Sequence, residues 1–346
     1  MAFAGFGKTQ IAYDMFDMAR DAEQARRFSK CENIYHKGQQ FAWDGTGILQ
    51  ELLAEHGGIH LDEEKSEALR RVFAIIMWGE LAAWKISLQL ADGIKPLEAK
   101  MAATSQAFDE ARHFYVMHDY LTELGYEPKR MDRAPQALLD LTLDTKVLAH
   151  KLLGMQLMIE PMALTIFQAI RQTKPEPVIA ELMKYYERDE ARHVGLGMQY
   201  LPEMIRDMSK RELRQMMLFQ AQIMFFAVWE MKILEPSFRA LGLDAREVIQ
   251  FGRSKQFLAL KEVYEALGRD MDSDKSLILG LLNAVNEVLY PTEETRDDIL
   301  AQFRAAWEKL NEDGFEPDAN GLAQHHLHTI KTASGEISEG DTDLLN

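Results

Sequence analysis

The sequence predicts an all-α protein built around a bundle of four long helices, with additional helices before and after it. Three observations carry this prediction. Only ten prolines interrupt 346 residues, strand-like alternation is scarce, and long segments repeat apolar residues with the 3.6-residue period of a helix. The central segments run to roughly thirty residues or more, the length a four-helix bundle uses. Finally, the pentapeptide Asp-Glu-Ala-Arg-His occurs twice, at 109–113 and 189–193, each time inside one of these long segments.

In chain order the periodicity predicts helices at 8–28, 37–56, 63–92, 96–124, 135–172, 176–206, 210–238, 245–267, 276–288, 293–311 and 318–331. Stop and start signals agree with these boundaries. Gly125 closes one helix, Lys174-Pro175-Glu176-Pro177 separates two, and Pro291-Thr292-Glu293-Glu294 opens another. The linker at about 125–134 is longer than a tight turn and could cross the bundle. Residues 1–331 are expected to form one helical domain, with the bundle at about 63–206 and accessory helices at 8–56 and 210–331; the polar stretch 332–346 reads as a disordered tail.

Composition narrows the function classes. The formal charge is 39 minus 55, or −16, which argues against a nucleic-acid or anionic-membrane partner. The lone Cys31 excludes an internal disulfide and a cysteine-rich zinc or iron–sulfur site, and fits a reducing, cytoplasmic setting. Gly5, Gly7 and Lys8 lack the spacing of a phosphate-binding loop. The most apolar window, Ile223 to Trp229, is far below the ~20 residues of a membrane span, so no membrane span is expected.

The chemistry lies in the repeat. Glu110/His113 and Glu190/His193 each stand three residues apart, which on a helix puts both side chains on one face within reach of one ion. Thirty residues before each of these glutamates lies another glutamate in an apolar run, Glu80 and Glu160. Ala103, Ala107, Phe114, Met117 and Leu121 share the stripe of Glu110; Met183, Tyr186, Val194 and Gly197 share that of Glu190. Carboxylates in such stripes are buried, and a buried charge needs a counter-charge. Two divalent ions meet that need for four glutamates, and carboxylate with imidazole suits iron or manganese. Asp109 and Asp189 are placed to accept from the histidine of the opposite copy, with Arg112 and Arg192 neutralising them.

Taken together, Glu80, Glu110, His113, Glu160, Glu190 and His193 make the chain similar to the ferritin-like di-iron carboxylate proteins, over about residues 63–206. The Asp-Glu-x-Arg-His form most resembles the oxygen-activating branch: monooxygenase hydroxylases, acyl-carrier-protein desaturases, arylamine N-oxygenases and ribonucleotide reductase small subunits. The resemblance implies a ferritin-like four-helix bundle holding two Fe ions, with an Mn–Fe pair left open, and the six residues as metal ligands.

Departures from subfamily patterns matter. Met117 stands where ribonucleotide reductase small subunits carry a radical tyrosine, and Tyr115 points off the metal face. Leu164 stands where hydroxylases place a threonine, with Thr165 one position out of register. Tyr186 replaces the additional histidine ligand of arylamine N-oxygenases, and reads as core, an electron relay or a support to the ligands. Pro161, directly after Glu160, should kink or widen its helix, either to let the Glu160 carboxylate shift or simply to re-aim the helix. Met77, Met117, Met155, Met158, Met162 and Met183, with Phe114 and Phe167, either line an apolar pocket or fill the core. His118 and His150 fall off the metal face, and the run His325-His326-Leu327-His328, without nearby carboxylates at helical spacing, reads as a surface helix end.

The expected function is a di-iron, O2-dependent oxidase or oxygenase acting on a small apolar or aromatic substrate by hydroxylation, desaturation or N-oxygenation. Electrons would come from a separate reductase or ferredoxin, and a homodimer remains open. The rival readings are a ferroxidase or iron-storage protein, a ribonucleotide reductase small subunit-like metalloprotein, and a non-catalytic helical scaffold with a structural metal.

Overall fold

Four long antiparallel segments form the centre of the computed structural model, which describes residues 18–127, 129–268, 284–285, 287–292, 294–295 and 297–311. In chain order the helices are α1 (Met18–Arg27), α2 (Ser29–Gln40), α3 (Gly45–His56), α4 (Glu63–Gly93), α5 (Leu97–Glu123), α6 (Arg133–Asp144), α7 (Leu148–Leu152), α8 (Glu160–Thr173), α9 (Pro177–Ile205), α10 (Lys210–Ala240), α11 (Ala245–Ala266) and α12 (Ile299–Asn311). Between α7 and α8 the chain is wound as a π-helix over Leu153–Ile159. No strand occurs among the described residues. The predicted helix at 318–331, the starts of those at 8–28 and 276–288, the histidine run at 325–328 and the tail at 332–346 lie outside the described residues.

The bundle is α4, α5, the continuous stretch 148–173 and α9. α4 packs along α5, α8 along α9, and α5 meets α9 across the centre. α2 and α3 cover the α5–α9 side, while α10 lies on α4 and α6, and α11 on α8 and α9. Local signals hold the ends in place. Asp62 caps α4 by accepting from the Lys65 N–H at 2.8 Å. Glu176 caps α9 by accepting from the Val178 and Ile179 N–H groups at 3.0 and 2.8 Å, and its buried carboxylate also receives the Tyr120 hydroxyl at 3.1 Å. Ser209 and Glu212 form a capping box at the start of α10.

Two predicted helices are each broken in the structure. The segment 37–56 stops at Gln40 and restarts at Gly45, where Asp44 accepts from the Gly47 N–H as the new cap. The segment 135–172 is interrupted at 145–147. There the buried Lys151 ammonium donates to the carbonyls of Thr142 and Leu143 at 3.3 and 2.6 Å, satisfying the exposed end of α6 from outside the helix.

The predicted widening at Pro161 is present as the π-helical turns just before Glu160. Pro161 cannot donate to Leu157, and the looser winding removes the clash with that carbonyl. Beside it, the Gln256 side chain of α11 donates to the Met158 carbonyl at 2.6 Å, tying the widened segment to its neighbour. Gly197 of α9 lets the widened segment sit close: a Cβ there would come within 2.9 Å of Gln156 Cβ and of two Leu157 atoms.

Among the described residues two helices are long and apolar enough to cross a membrane by length and composition, Leu148–Thr173 and Lys210–Ala240. The first is buried over 78% of its apolar window and carries Glu160, so its apolarity is that of a core helix. The second is buried over 39% of its window, which makes its apolar stretch longer than the Ile223–Trp229 window suggested by sequence.

Candidate metal centre

The six predicted residues come together in the middle of the bundle. Glu80 arrives from α4, Glu110 and His113 from α5, Glu160 from the start of α8, and Glu190 and His193 from α9; all are buried. His113 Nδ1 lies 3.1 Å from Glu190 Oε1, 3.5 Å from Glu80 Oε2 and 3.7 Å from Glu110 Oε2. His193 Nδ1 lies 3.0 Å from Glu190 Oε2, 3.1 Å from Glu110 Oε1 and 3.3 Å from Glu160 Oε2. Two overlapping sets result, Glu80/Glu110/His113/Glu190 and Glu110/Glu160/Glu190/His193, each compact enough to hold one ion. Glu110 and Glu190 belong to both.

The outer nitrogens of the two histidines face the aspartates in the crossed arrangement. His113 Nε2 lies 3.1 Å from Asp189 Oδ2, and His193 Nε2 lies 3.4 Å from Asp109 Oδ2. A carboxylate only accepts, so each Nε2 donates to its aspartate, and Nδ1 is the nitrogen that faces the glutamates and would turn to an ion. Arg112 donates to both Asp109 and Asp189, and Arg192 does the same at 2.9 and 2.7 Å. Burial opposes ionisation of Asp189, but Arg192 and His113 outweigh it and hold the carboxyl well below its ordinary range.

Charge bookkeeping tests whether cations fit. Glu80, Glu110, Glu160, Glu190, Asp109 and Asp189 bring six carboxylates against the two guanidinium groups hydrogen-bonded among them, Arg112 and Arg192, a deficit of four within that set, with Arg188 more exposed and 3.9 Å from Asp189. Burial, with Glu190 beside them, pushes Glu80 and Glu160 well above the usual carboxylate range. Burial disfavours imidazolium at His113 and His193, yet the surrounding carboxylates push both well above the ordinary histidine value. These four groups thus hold protons where two divalent ions would bring the same charge. Glu110 Oε2, His113 Nδ1, Glu160 Oε2 and Glu190 Oε1 are buried without a hydrogen-bond partner. Inward-facing donors left bare in this way suit metal ligation.

Sequence reasoning missed three supports. Gln106, one turn before Glu110, donates to Glu110 and Glu160, both at 3.0 Å, and receives Gln156 at 3.2 Å. Its place on the Glu110 face was a usable signal, as was that of Gln156 one turn before Glu160. Trp43, in the break between α2 and α3, donates its indole N–H to Asp189 at 2.7 Å and stands 4.9 Å from the Arg112 guanidinium; nothing in its local sequence announces this. Trp43→Phe removes one donor from a carboxylate that orients His113. We expect metal affinity, read by chelator competition, to fall about 10–100-fold; an unchanged affinity would remove Trp43 from the centre.

Tyr186 is locked in the core. Its hydroxyl donates to the His113 carbonyl at 2.7 Å, and its ring stacks on the His113 imidazole at 4.3 Å. Thr165 is likewise spent on its own helix, donating to the Pro161 carbonyl at 2.8 Å. Met117 and Leu164 are buried in the core, Tyr115 and His118 are exposed, and His150 stacks on Phe219.

Residues 95–265 match the family described as P-aminobenzoate N-oxygenase AurF. Over this stretch, just under half of its length, the chain is similar to that family, and its all-α bundle is of the ferritin-like kind. The matched stretch contains five of the six clustered residues and leaves Glu80 outside. No curated protein matches the chain. The bundle interior carries Glu-x-x-His on two helices and a single Glu on each of the other two, the ligand pattern of ferritin-like di-iron carboxylate proteins.

A narrow apolar cavity of about 80 Å³ adjoins the centre. Glu80, Glu160 and Glu190 close one part of it, and Met155, Met158, Met162 and Ile223 supply apolar wall. Of the residues expected to line a pocket, Met77, Met117, Met183, Phe114 and Phe167 do not. They pack in the core around α4, α5, α8 and α9 instead.

The cavity also holds Glu230 of α10, whose carboxyl burial pushes up to about 8 from an ordinary 4.5. Between those values the folded chain keeps a proton that the unfolded chain has lost. The stabilisation is therefore complete below 4.5 and disappears as pH rises through 8. Glu230→Gln, uncharged throughout, should match wild type near pH 5 and exceed it by a few kcal/mol near pH 9 in denaturant unfolding. Parallel curves for the two proteins would show that the carboxyl is not desolvated.

Proposed function

We propose that this protein is a di-iron, O2-dependent oxygenase acting on a small aromatic substrate, with N-oxygenation of an aromatic amine as the favoured reaction. The observation that carries this is the buried four-glutamate, two-histidine cluster with its charge deficit of four, set against an apolar cavity. The similarity to an N-oxygenase family supports the choice of reaction. Glu80, Glu110, His113 and Glu190 would hold one ion, and Glu110, Glu160, Glu190 and His193 the other. When bound, two ferrous ions supply electrons and open coordination positions for O2.

The chain's own residues position and insulate that chemistry. Asp109 and Asp189 fix the histidine tautomers, Arg112 and Arg192 keep those aspartates ionised, and Gln106 restrains Glu110 and Glu160. The cavity presents a mainly apolar wall to the substrate side. Electrons for repeated turnover would come from a reductase or ferredoxin, since one cysteine cannot build a cluster. Tyr186, in place of a histidine, leaves the six-residue set without the seventh ligand of arylamine N-oxygenases.

Loading with Fe(II) followed by oxygen tests the reading. About two irons per chain, with O2 uptake coupled to oxidation of an added arylamine, is the expected result. Many irons oxidised per chain would mean iron storage, and none bound would mean a scaffold; either overturns the proposal. Parallel loading with Mn(II) and Fe(II) decides the metal pair.

A further inference from the structure

α10 turns Ile223, Ala227, Glu230 and Met231 toward the bundle, a spacing of four, three and one residues that keeps them on one helix face. Three of the four are apolar and belong to the cavity wall. Glu230 is the exception. It is 9% exposed, it has no hydrogen-bond or ion-pair partner among the described residues, and it opens onto the same cavity as Glu80, Glu160 and Glu190. Of the polar side chains on this helix, Gln220 has its amide on Met158 Sδ, and Lys232 donates to Glu235 at 2.7 Å.

A carboxyl kept in an apolar wall without a partner is costly to the fold. Its retention is accounted for if a ligand completes its hydrogen bonds. The chemistry of that ligand follows from the wall. Among the described lining residues there is no Lys, Arg or His, so a carboxylate such as that of p-aminobenzoate would enter without a counter-charge. The chain's net charge of −16 likewise favours cations over anions at the surface.

We propose that Glu230 is a specificity-determining residue that receives an amino group at the end of the substrate remote from the metal-facing glutamates, so that the substrate is an aromatic amine bearing a second amine rather than a benzoate. This rests on the cavity being the substrate pocket of the proposed oxygenase. The substrate would span it, its apolar ring against Met155, Met158 and Ile223 and its reacting group toward Glu80, Glu160 and Glu190.

The test is ligand binding to the full-length, iron-loaded protein under anaerobic conditions, read by calorimetry with 4-aminobenzylamine and p-aminobenzoate. Wild type is expected to bind the diamine at least about tenfold more tightly, the effect of one charge-assisted hydrogen bond. Glu230→Gln should weaken the diamine about tenfold and leave p-aminobenzoate nearly unchanged, while Glu230→Asp should recover part of the preference. Circular dichroism checks that both variants are folded. Equal or tighter binding of p-aminobenzoate by wild type, no binding of either ligand, or a diamine affinity indifferent to Glu230→Gln would each overturn the proposal. Iron content and O2 uptake of the same samples report on the oxygenase reading separately. Selective diamine binding without O2 uptake would sink that reading and leave the recognition role standing.

Discussion

Replacing Glu110 with alanine is expected to strip the centre of both ions together. Glu110 is fully buried and belongs to both ligand sets, with Oε2 facing His113 and Oε1 facing His193. The variant should fall from about two metal ions per chain to well under one, measured by elemental analysis after desalting. Turnover should drop by more than the ~100-fold that loss of a hydrogen-bonding support alone can reach. His113→Ala makes the contrast. It removes one set and leaves Glu110, Glu160, Glu190 and His193 intact, so about one ion should remain. Glu110→Ala protein that kept both ions at full occupancy would show that the ligand assignment is wrong.

The largest effect on folding is expected at Arg192. Its guanidinium is almost wholly buried and links Asp109 to Asp189 across two helices. Arg192→Leu would leave Arg112 as the one guanidinium hydrogen-bonded to the two aspartates, and breaking a buried pair from one side costs about 3–5 kcal/mol. Arg192→Lys should cost less, because it keeps the charge while losing the planar fork that reaches two carboxylates. Urea unfolding of the two variants beside wild type measures both. A leucine variant within about 0.5 kcal/mol of wild type would mean that the aspartates are satisfied without Arg192.

What could be read in advance follows helix periodicity. Glu80, Glu110, His113, Glu160, Glu190 and His193 were legible because each sits in an apolar stripe, and the 80-residue offset repeats all three pairs. The crossing of Asp109 and Asp189 was legible because a histidine bound through one nitrogen needs an acceptor at the other. The π-helical turns announced themselves through Pro161, though their extent back to Leu153 did not. What escaped depends on groups far apart in sequence. The break at 145–147 is stabilised by Lys151 reaching back to α6. The break at 41–44 carries Trp43 to a partner 146 residues away. Glu230 looked like the polar end of an apolar window until α10 was seen lying against α4 and α6.

The crossed pairing of histidines and aspartates has a consequence for how such a chain can arise and be divided. Each pentapeptide orients the histidine of the other: Asp109 serves His193, and Asp189 serves His113. Neither copy is self-sufficient. A half-length chain with a single Glu and a single Asp-Glu-Ala-Arg-His could complete this pattern only by meeting a second molecule face to face, with residue i of one touching residue j of the other in both directions, as at a two-fold interface. The 80-residue repeat thus has the symmetry of a dimer within one polypeptide, and losing the aspartate of one copy frees the histidine of the other.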